Sequence, residues 1–150
     1  MKIVIQRVSK ASVTIEGKKV ASIQKGLLIL LCVVNEDTQE DIDYLVRKTT
    51  NLRIFNDEND VMNKSLLAID GEVIVVSQFT LHASTKKGNR PSYIKAAKPD
   101  VAIPLYEKFI ATLENETSKK VQTGKFGADM KVEILNDGPV TIIIDSKKIN

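Results

Sequence analysis

Histidine, cysteine and tryptophan are nearly missing from this 150-residue chain, which has one His, one Cys and no Trp. A single thiol can make neither an internal disulfide nor a multi-thiolate metal site. With one imidazole and scattered carboxylates, no recognisable metal-ligand spacing is present. Long hydrophobic runs are lacking too. The apolar run Leu27–Val34 falls far short of the roughly 20 residues that a bilayer-spanning helix needs. Polar residues interrupt the first seven positions, Met1–Arg7, so no secretory hydrophobic region is expected there and the chain reads as cytoplasmic. Cys32, inside the apolar run, reads as a buried and unreactive thiol.

What is present suits one domain over residues 1–150. Hydrophobic residues make up 43% and charged residues 27%, enough for a core and too apolar for global disorder. The net charge of +3 is a weak basic bias whose distribution says more than its size.

The apolar pattern alternates over Lys2–Val8 and again over Ser12–Ile15. Glu16-Gly17 then reads as a hairpin turn into Lys18–Ile23. Gly26 opens the continuous run to Val34, a strand buried on both faces. Thr38 is a plausible N-cap for a helix in which Ile42, Leu45, Val46 and Thr49 share a face, with acids in the first turn. Residues 52–55 read as short and extended, followed by an acidic turn over residues 56–60. Asp70-Gly71 marks a turn before a strand over residues 72–78. A loop is expected over residues 82–99. A second helix begins near Asp100, with Ala102, Leu105, Tyr106, Phe109, Ile110 and Leu113 on its apolar face, and Pro104 is tolerated near its first turn. After a polar loop over residues 117–131, Lys131–Leu135 and Val140–Asp145 read as two strands around a Gly-Pro turn. This order predicts an α+β domain, a mostly antiparallel sheet or partly closed β-barrel carrying two packed helices.

Two segments place main-chain amides and small polar side chains where a strand ends. In Ser77-Gln78-Phe79-Thr80-Leu81 the hydroxyls can simply satisfy backbone groups. Alternatively, the amides of Phe79 and Thr80 can hold an oxyanion. His82 adjoins them, but neighbouring strand side chains point to opposite sides, which counts against it as a base. The second segment, Asn136-Asp137-Gly138-Pro139-Val140-Thr141, reads either as a hairpin turn or as a Gly-Pro site with a cis bond. Residues 82–99 carry five cations (Lys86, Lys87, Arg90, Lys95 and Lys98), no acid, and Tyr93. They form either a solvated loop or a surface for phosphates with a ring to stack on a base. Lys119, Lys120 and Lys125 around Phe126-Gly127-Ala128 have a similar look.

Taken together, the two polar segments resemble the D-aminoacyl-tRNA deacylase (D-tyrosyl-tRNA deacylase) family. Gln6-Arg7-Val8 resembles that family's start. Gly88-Asn89-Arg90-Pro91-Ser92-Tyr93 resembles its basic loop, with Asn89 where Arg is common. Thr123-Gly124-x-Phe126-Gly127-Ala128-x-Met130 resembles its late loop. The resemblance covers the whole chain. It implies a homodimer, without metal or organic cofactor, that cleaves the ester between a D-amino acid and tRNA at a site on the subunit interface. It places Ser77, Gln78, Phe79 and Thr80 in the reacting pocket. A cis Gly138-Pro139 motif supported by Arg7 would enter from the other subunit to read chirality. Phe126, Gly127, Ala128 and Met130 would bind the terminal adenosine, and Lys86, Lys87 and Arg90 the tRNA. From the residues alone, a non-catalytic RNA-binding module and a structural protein that dimerises through an exposed sheet remain as alternatives.

Overall fold

The computed structural model describes residues 1–149. Eight strands and three helices follow in the order β1 (Lys2–Ile15), β2 (Lys18–Ile23), β3 (Gly26–Cys32), α1 (Gln39–Asn51), β4 (Phe55–Asn56), β5 (Met62–Lys64), α2 (Leu66–Ile69), β6 (Glu72–Ser77), α3 (Pro99–Thr117), β7 (Gln122–Thr123) and β8 (Lys131–Asp145). A short 3-10 turn, Phe79–His82, follows β6.

The main sheet runs β2-β1-β3-β6-β7, with β8 also pairing β1. The pairs of β1 with β2, β3 and β8 are antiparallel, whereas β3–β6 and β6–β7 are parallel. The sheet is therefore mixed. The Ser22 amide of β2 donates to the Gln122 side chain of β7 at 2.7 Å, which draws the two ends of the path together into a nearly closed barrel. β4 and β5 form a separate small hairpin.

Two apolar layers follow from the period-2 alternation of the strands. Ile3, Ile5, Leu27, Ile29, Leu31, Val73 and Val75 point toward Ile42, Leu45 and Val46 of α1 and toward Tyr106, Phe109 and Leu113 of α3. The alternate residues Leu28, Ile74 and Val76 join Val8, Val13, Ala21 and Ile23 in a second cluster inside the barrel. This explains the unbroken apolar runs in β3 and β6, since each is covered on both faces. The two strands also approach closely at their start. A Cβ built on Gly26 would lie 1.8 Å from the Glu72 carbonyl oxygen, so only glycine fits there.

Thr38 is the N-cap of α1, and its amide donates to Asp41 Oδ2 at 2.8 Å. α3 begins at Pro99, a residue earlier than the sequence predicts, and carries Pro104 in its sixth position. The four-residue α2 is an addition to the two expected helices. Its sequence is too short to show a helical period, and its start rests on Ser65 Oγ accepting from the Ala68 amide.

The largest departure concerns residues 131–145. They form one strand, not two strands around a turn. Both halves run antiparallel to β1, with Thr141 opposite Gln6 and Asn136 opposite Val8. Residues 137–140 bulge out opposite Arg7 alone. No helix among the described residues is long and apolar enough to cross a membrane.

Candidate active site

β3 and β6 end side by side, with Leu31 opposite Ser77. Just beyond that point the chain leaves the sheet, because the Gln78 amide bonds back to the Leu31 carbonyl at 2.8 Å and the next residues wind into the 3-10 turn. A cavity of about 300 Å³ opens there. Ser77, Gln78 and Phe79 form one wall, and Phe126, Gly127, Ala128 and Met130 form another. The structure thus brings together two segments separated by nearly fifty residues of sequence.

The main-chain geometry at the rim is specific. The first amides of a helical turn have no partner within it, and in this turn those amides belong to Phe79 and Thr80. The preceding Gln78 side chain does not cap them. It donates instead from Nε2 to Thr80 Oγ1 at 2.6 Å. Thr80 itself is not part of the cavity wall, although its neighbour Phe79 is. The Phe79 ring is 56% exposed and meets Tyr93 edge to face with centroids 5.1 Å apart.

Several lining residues escaped the sequence reading. Tyr106 and Ala102 look like ordinary core positions on a helical face, yet both reach the cavity. The Tyr106 ring packs edge to face on Phe126 at 5.6 Å and its hydroxyl donates to the Val75 carbonyl at 3.4 Å. Burial pushes its phenol up to about 12. Cys32 also lines the wall, with its thiol donating to the Phe79 carbonyl at 3.3 Å, and burial pushes it up to about 11. Neither group ionises at neutral pH. Asp129, the carboxylate of the lining, is exposed and pairs with Lys131 at 3.2 Å.

His82 closes the 3-10 turn but does not line this cavity. Its Nε2 is buried without a hydrogen-bond partner among the described residues. Burial lowers its pKa below the ordinary value, and the nearby Lys2 ammonium adds to that. Among the described residues, no group of three or more His, Cys, Asp or Glu is placed to hold a metal ion.

Gly138 and Pro139 lie elsewhere. Their peptide bond is cis, and both residues are exposed at the tip of the β8 bulge. Two side chains shape the bulge. Asn136 accepts from the Val140 amide at 2.8 Å and donates to the Val140 carbonyl at 3.1 Å, pinching its base. Arg7, 7% exposed, donates to the carbonyls of Asp137 and Ile54, each at 2.7 Å. Gly138 sits at φ +140°, and a Cβ there would lie 2.9 Å from the Arg7 guanidinium. Glycine is required on both counts. Arg7 pairs with Leu27, at the opposite end of β3 from Leu31. The two positions are four residue steps, about 13 Å of strand, apart, and neither Gly138 nor Pro139 lines its own chain's cavity.

Lys86, Lys87 and Arg90 occupy the exposed tip of a loop closed by reciprocal Ser84–Ser92 backbone hydrogen bonds of 2.8 and 2.9 Å. None of the three lines the 300 Å³ cavity.

The family model for D-Tyr-tRNA(Tyr) deacylase matches residues 4–145. The chain is 69% identical over 147 residues to a D-aminoacyl-tRNA deacylase of Flavobacterium johnsoniae, covering 98% of each. It is 65% identical over 147 residues to a protein of the same name from Bacteroides fragilis, again covering 98% of each. Among solved structures, the c-Myc DNA unwinding element binding protein superposes with a TM-score of 0.91 at 41% identity, covering 97% of this chain and 98% of that one. A probable eukaryotic D-amino acid tRNA deacylase shares the fold, with a TM-score of 0.83 at 16% identity over 95% of this chain and 97% of that one. The cavity and bulge therefore sit on a deacylase scaffold. The chain belongs to the D-Tyr-tRNA(Tyr) deacylase family.

Proposed function

We propose that this protein is a D-aminoacyl-tRNA deacylase that proofreads chirality in translation, acting in the cytoplasm as a homodimer with its active sites at the subunit interface. It cleaves the ester between a D-amino acid, or glycine, and the terminal ribose of tRNA, releasing both. The observation that carries this reading is the division of the site. A cavity walled by Ser77, Gln78 and Phe79 lies at one end of β3, and an exposed Gly138-Pro139 tip lies at the other.

The exposed strand β8 supports dimer formation. This 15-residue strand pairs with β1 along one edge, contains no buried residue, and exposes Ile134, Leu135 and Ile143. A long apolar edge of this kind is a template for pairing. In a two-fold dimer each subunit offers the same surfaces to the other, so each Gly-Pro tip can enter the partner's cavity. Carbonyls of Gly138 and Pro139 then hold the substrate's α-amino group. With that group fixed, the two remaining directions at Cα differ. A D side chain points to solvent and an L side chain meets the wall, whereas glycine has nothing to clash.

The terminal adenosine packs among Phe126, Gly127, Ala128 and Met130, and the exposed Lys86, Lys87 and Arg90 meet tRNA phosphates. An aminoacyl ester is already activated, so the protein need not supply a strong nucleophile. Water adds to the carbonyl carbon, and the oxyanion is held by the amides of Phe79 and Thr80. Loss of one such donor typically costs about 3 kcal/mol. The C–O bond to the ribose then breaks, and the ribose oxygen takes up a proton. The adjacent ribose hydroxyl activates the water; of the wall's side chains, the Cys32 thiol and Tyr106 phenol stay protonated at neutral pH and the exposed Asp129 is paired with Lys131. The protein acts here without metal or organic cofactor.

The test is a matched pair of substrates, D-tyrosyl-tRNA and L-tyrosyl-tRNA, incubated with the purified protein in the presence of a chelator. Rapid loss of the D ester alone is expected. Binding of tRNA with cleavage of neither ester would instead identify a non-catalytic RNA-binding module.

A further inference from the structure

A second cavity, of about 590 Å³, lies across the Phe79–His82 turn from the first. Its wall carries five lysines: Lys2, Lys86, Lys95, Lys147 and Lys148. They come from the start of β1, the basic loop and the segment after β8, so folding gathers them from three remote parts of the chain. The carboxylates of the wall are Glu36 and Asp145. Lys2 pairs with Asp145 at 3.9 Å, and Lys147 with Asp41 at 2.9 Å. Lys86, Lys95 and Lys148 form no ion pair among the described residues.

The two cavities lie back to back across the chain that separates them. Val33 lines the first and Val34 the second. Phe79 lines the first and Leu81 the second. Ala97 lines the first and Lys95 the second. A strand whose esterified end sits in the first cavity can cross this divide, and Lys86, Lys95 and Lys148 line the cavity on its far side.

We propose that this lysine groove holds the phosphate backbone of the tRNA acceptor strand leading to the esterified adenosine. The proposal rests on the deacylase reading for the identity of the strand. Lys86, Lys95 and Lys148 neutralise successive phosphates, while Lys2 and Lys147, already paired, shape the floor. The contacts are to backbone and carry no base preference.

The test compares Lys86→Ala/Lys95→Ala/Lys148→Ala with wild type and with a control, Lys18→Ala/Lys48→Ala/Lys108→Ala, of equal net charge. All six lysines are exposed, and thermal melting checks that folding is intact. Binding of uncharged tRNA is measured over a salt series, with adenosine monophosphate as a probe of the first cavity alone. The groove variant is expected to bind tRNA about tenfold more weakly, with the slope of log affinity against log salt shallower by about 2, as for three lost contacts to a single strand. The control is expected to match wild type, and the mononucleotide to bind all three proteins alike. An unchanged slope in the groove variant, an equal loss in the control, or a matching loss of mononucleotide binding would each overturn the proposal. Because the readout is binding, it judges the groove even if wild type cleaves neither tyrosyl ester, the result that would sink the deacylase reading.

Discussion

At the scale of single residues, Thr80 separates two mechanisms. A hydroxyl nucleophile requires a base within hydrogen-bond reach. The group bonded to Thr80 Oγ1 is the Gln78 amide, a donor, at 2.6 Å, and His82 does not line the cavity. The Thr80 backbone amide survives truncation of the side chain. Thr80→Ala is therefore expected to keep kcat/KM for D-tyrosyl-tRNA within about threefold of wild type. A hundredfold loss in single-turnover deacylation would restore Thr80 as the nucleophile. The Ser77–Thr80 segment was legible because a polar run stops an apolar strand, and the burial of Cys32 followed from its apolar neighbours. Tyr106 was not legible as a wall residue. Its helical spacing with Ala102, Phe109 and Leu113 is that of any core face, and only the position of Phe126, distant in sequence, turns part of that face into a cavity.

At the scale of elements, local pattern gave reliable strands and helices but misjudged their pairing. Gly138-Pro139 between two apolar runs has the local signature of a hairpin. The two runs instead find the same partner, β1, and continue in one direction along it. Nothing in residues 131–145 announces that partner, nor the role of Asn136 in pinching the bulge. Likewise, the apolar runs of β3 and β6 signalled burial on both faces, while their parallel alignment depends on the chain between them. A different element contact yields a pH prediction. Asp41, in the first turn of α1, accepts from Ser146 Oγ at 2.6 Å, Lys147 Nζ at 2.9 Å and the Thr38 amide, tying the helix start to the chain after β8. Burial alone would raise its pKa, but these hydrogen bonds outweigh burial and hold it well below the ordinary carboxylate range. A depressed folded-state pKa stabilises the fold above the unfolded value, near pH 4, and that stability drains away as pH falls below it. Asp41→Asn is expected to lower Tm by about 5 °C at pH 7. The gap should narrow steadily between about pH 4 and pH 2. A gap independent of pH in thermal melts would show that the carboxylate charge is not what matters.

At the scale of the whole molecule, the distance between the cavity and the Gly-Pro tip is the decisive feature. On the proposed reading, each chain carries both halves of a site but does not close them on itself. In the proposed two-fold dimer, one subunit's Gly-Pro tip and the other's cavity would make one site, and the reverse pair a second. Two defects on different chains should then complement each other. Gly138→Ala places a methyl group 2.9 Å from the Arg7 guanidinium at a backbone angle that disfavours L side chains, and should disable the tip. Ala128→Trp should fill the cavity. Each homodimer is expected to be inactive on D-tyrosyl-tRNA. If the two variants are mixed, unfolded and refolded together, half of the dimers are hybrids, and each hybrid holds one intact site of two. Recovery of about a quarter of wild-type activity per dimer follows from this symmetry. Sites formed within one chain would recover nothing, because every cavity or every tip in a given chain would still be defective. A hybrid dimer isolated by differential tagging makes the distinction sharper, with about half of wild-type activity expected if the site is shared and none if it is not.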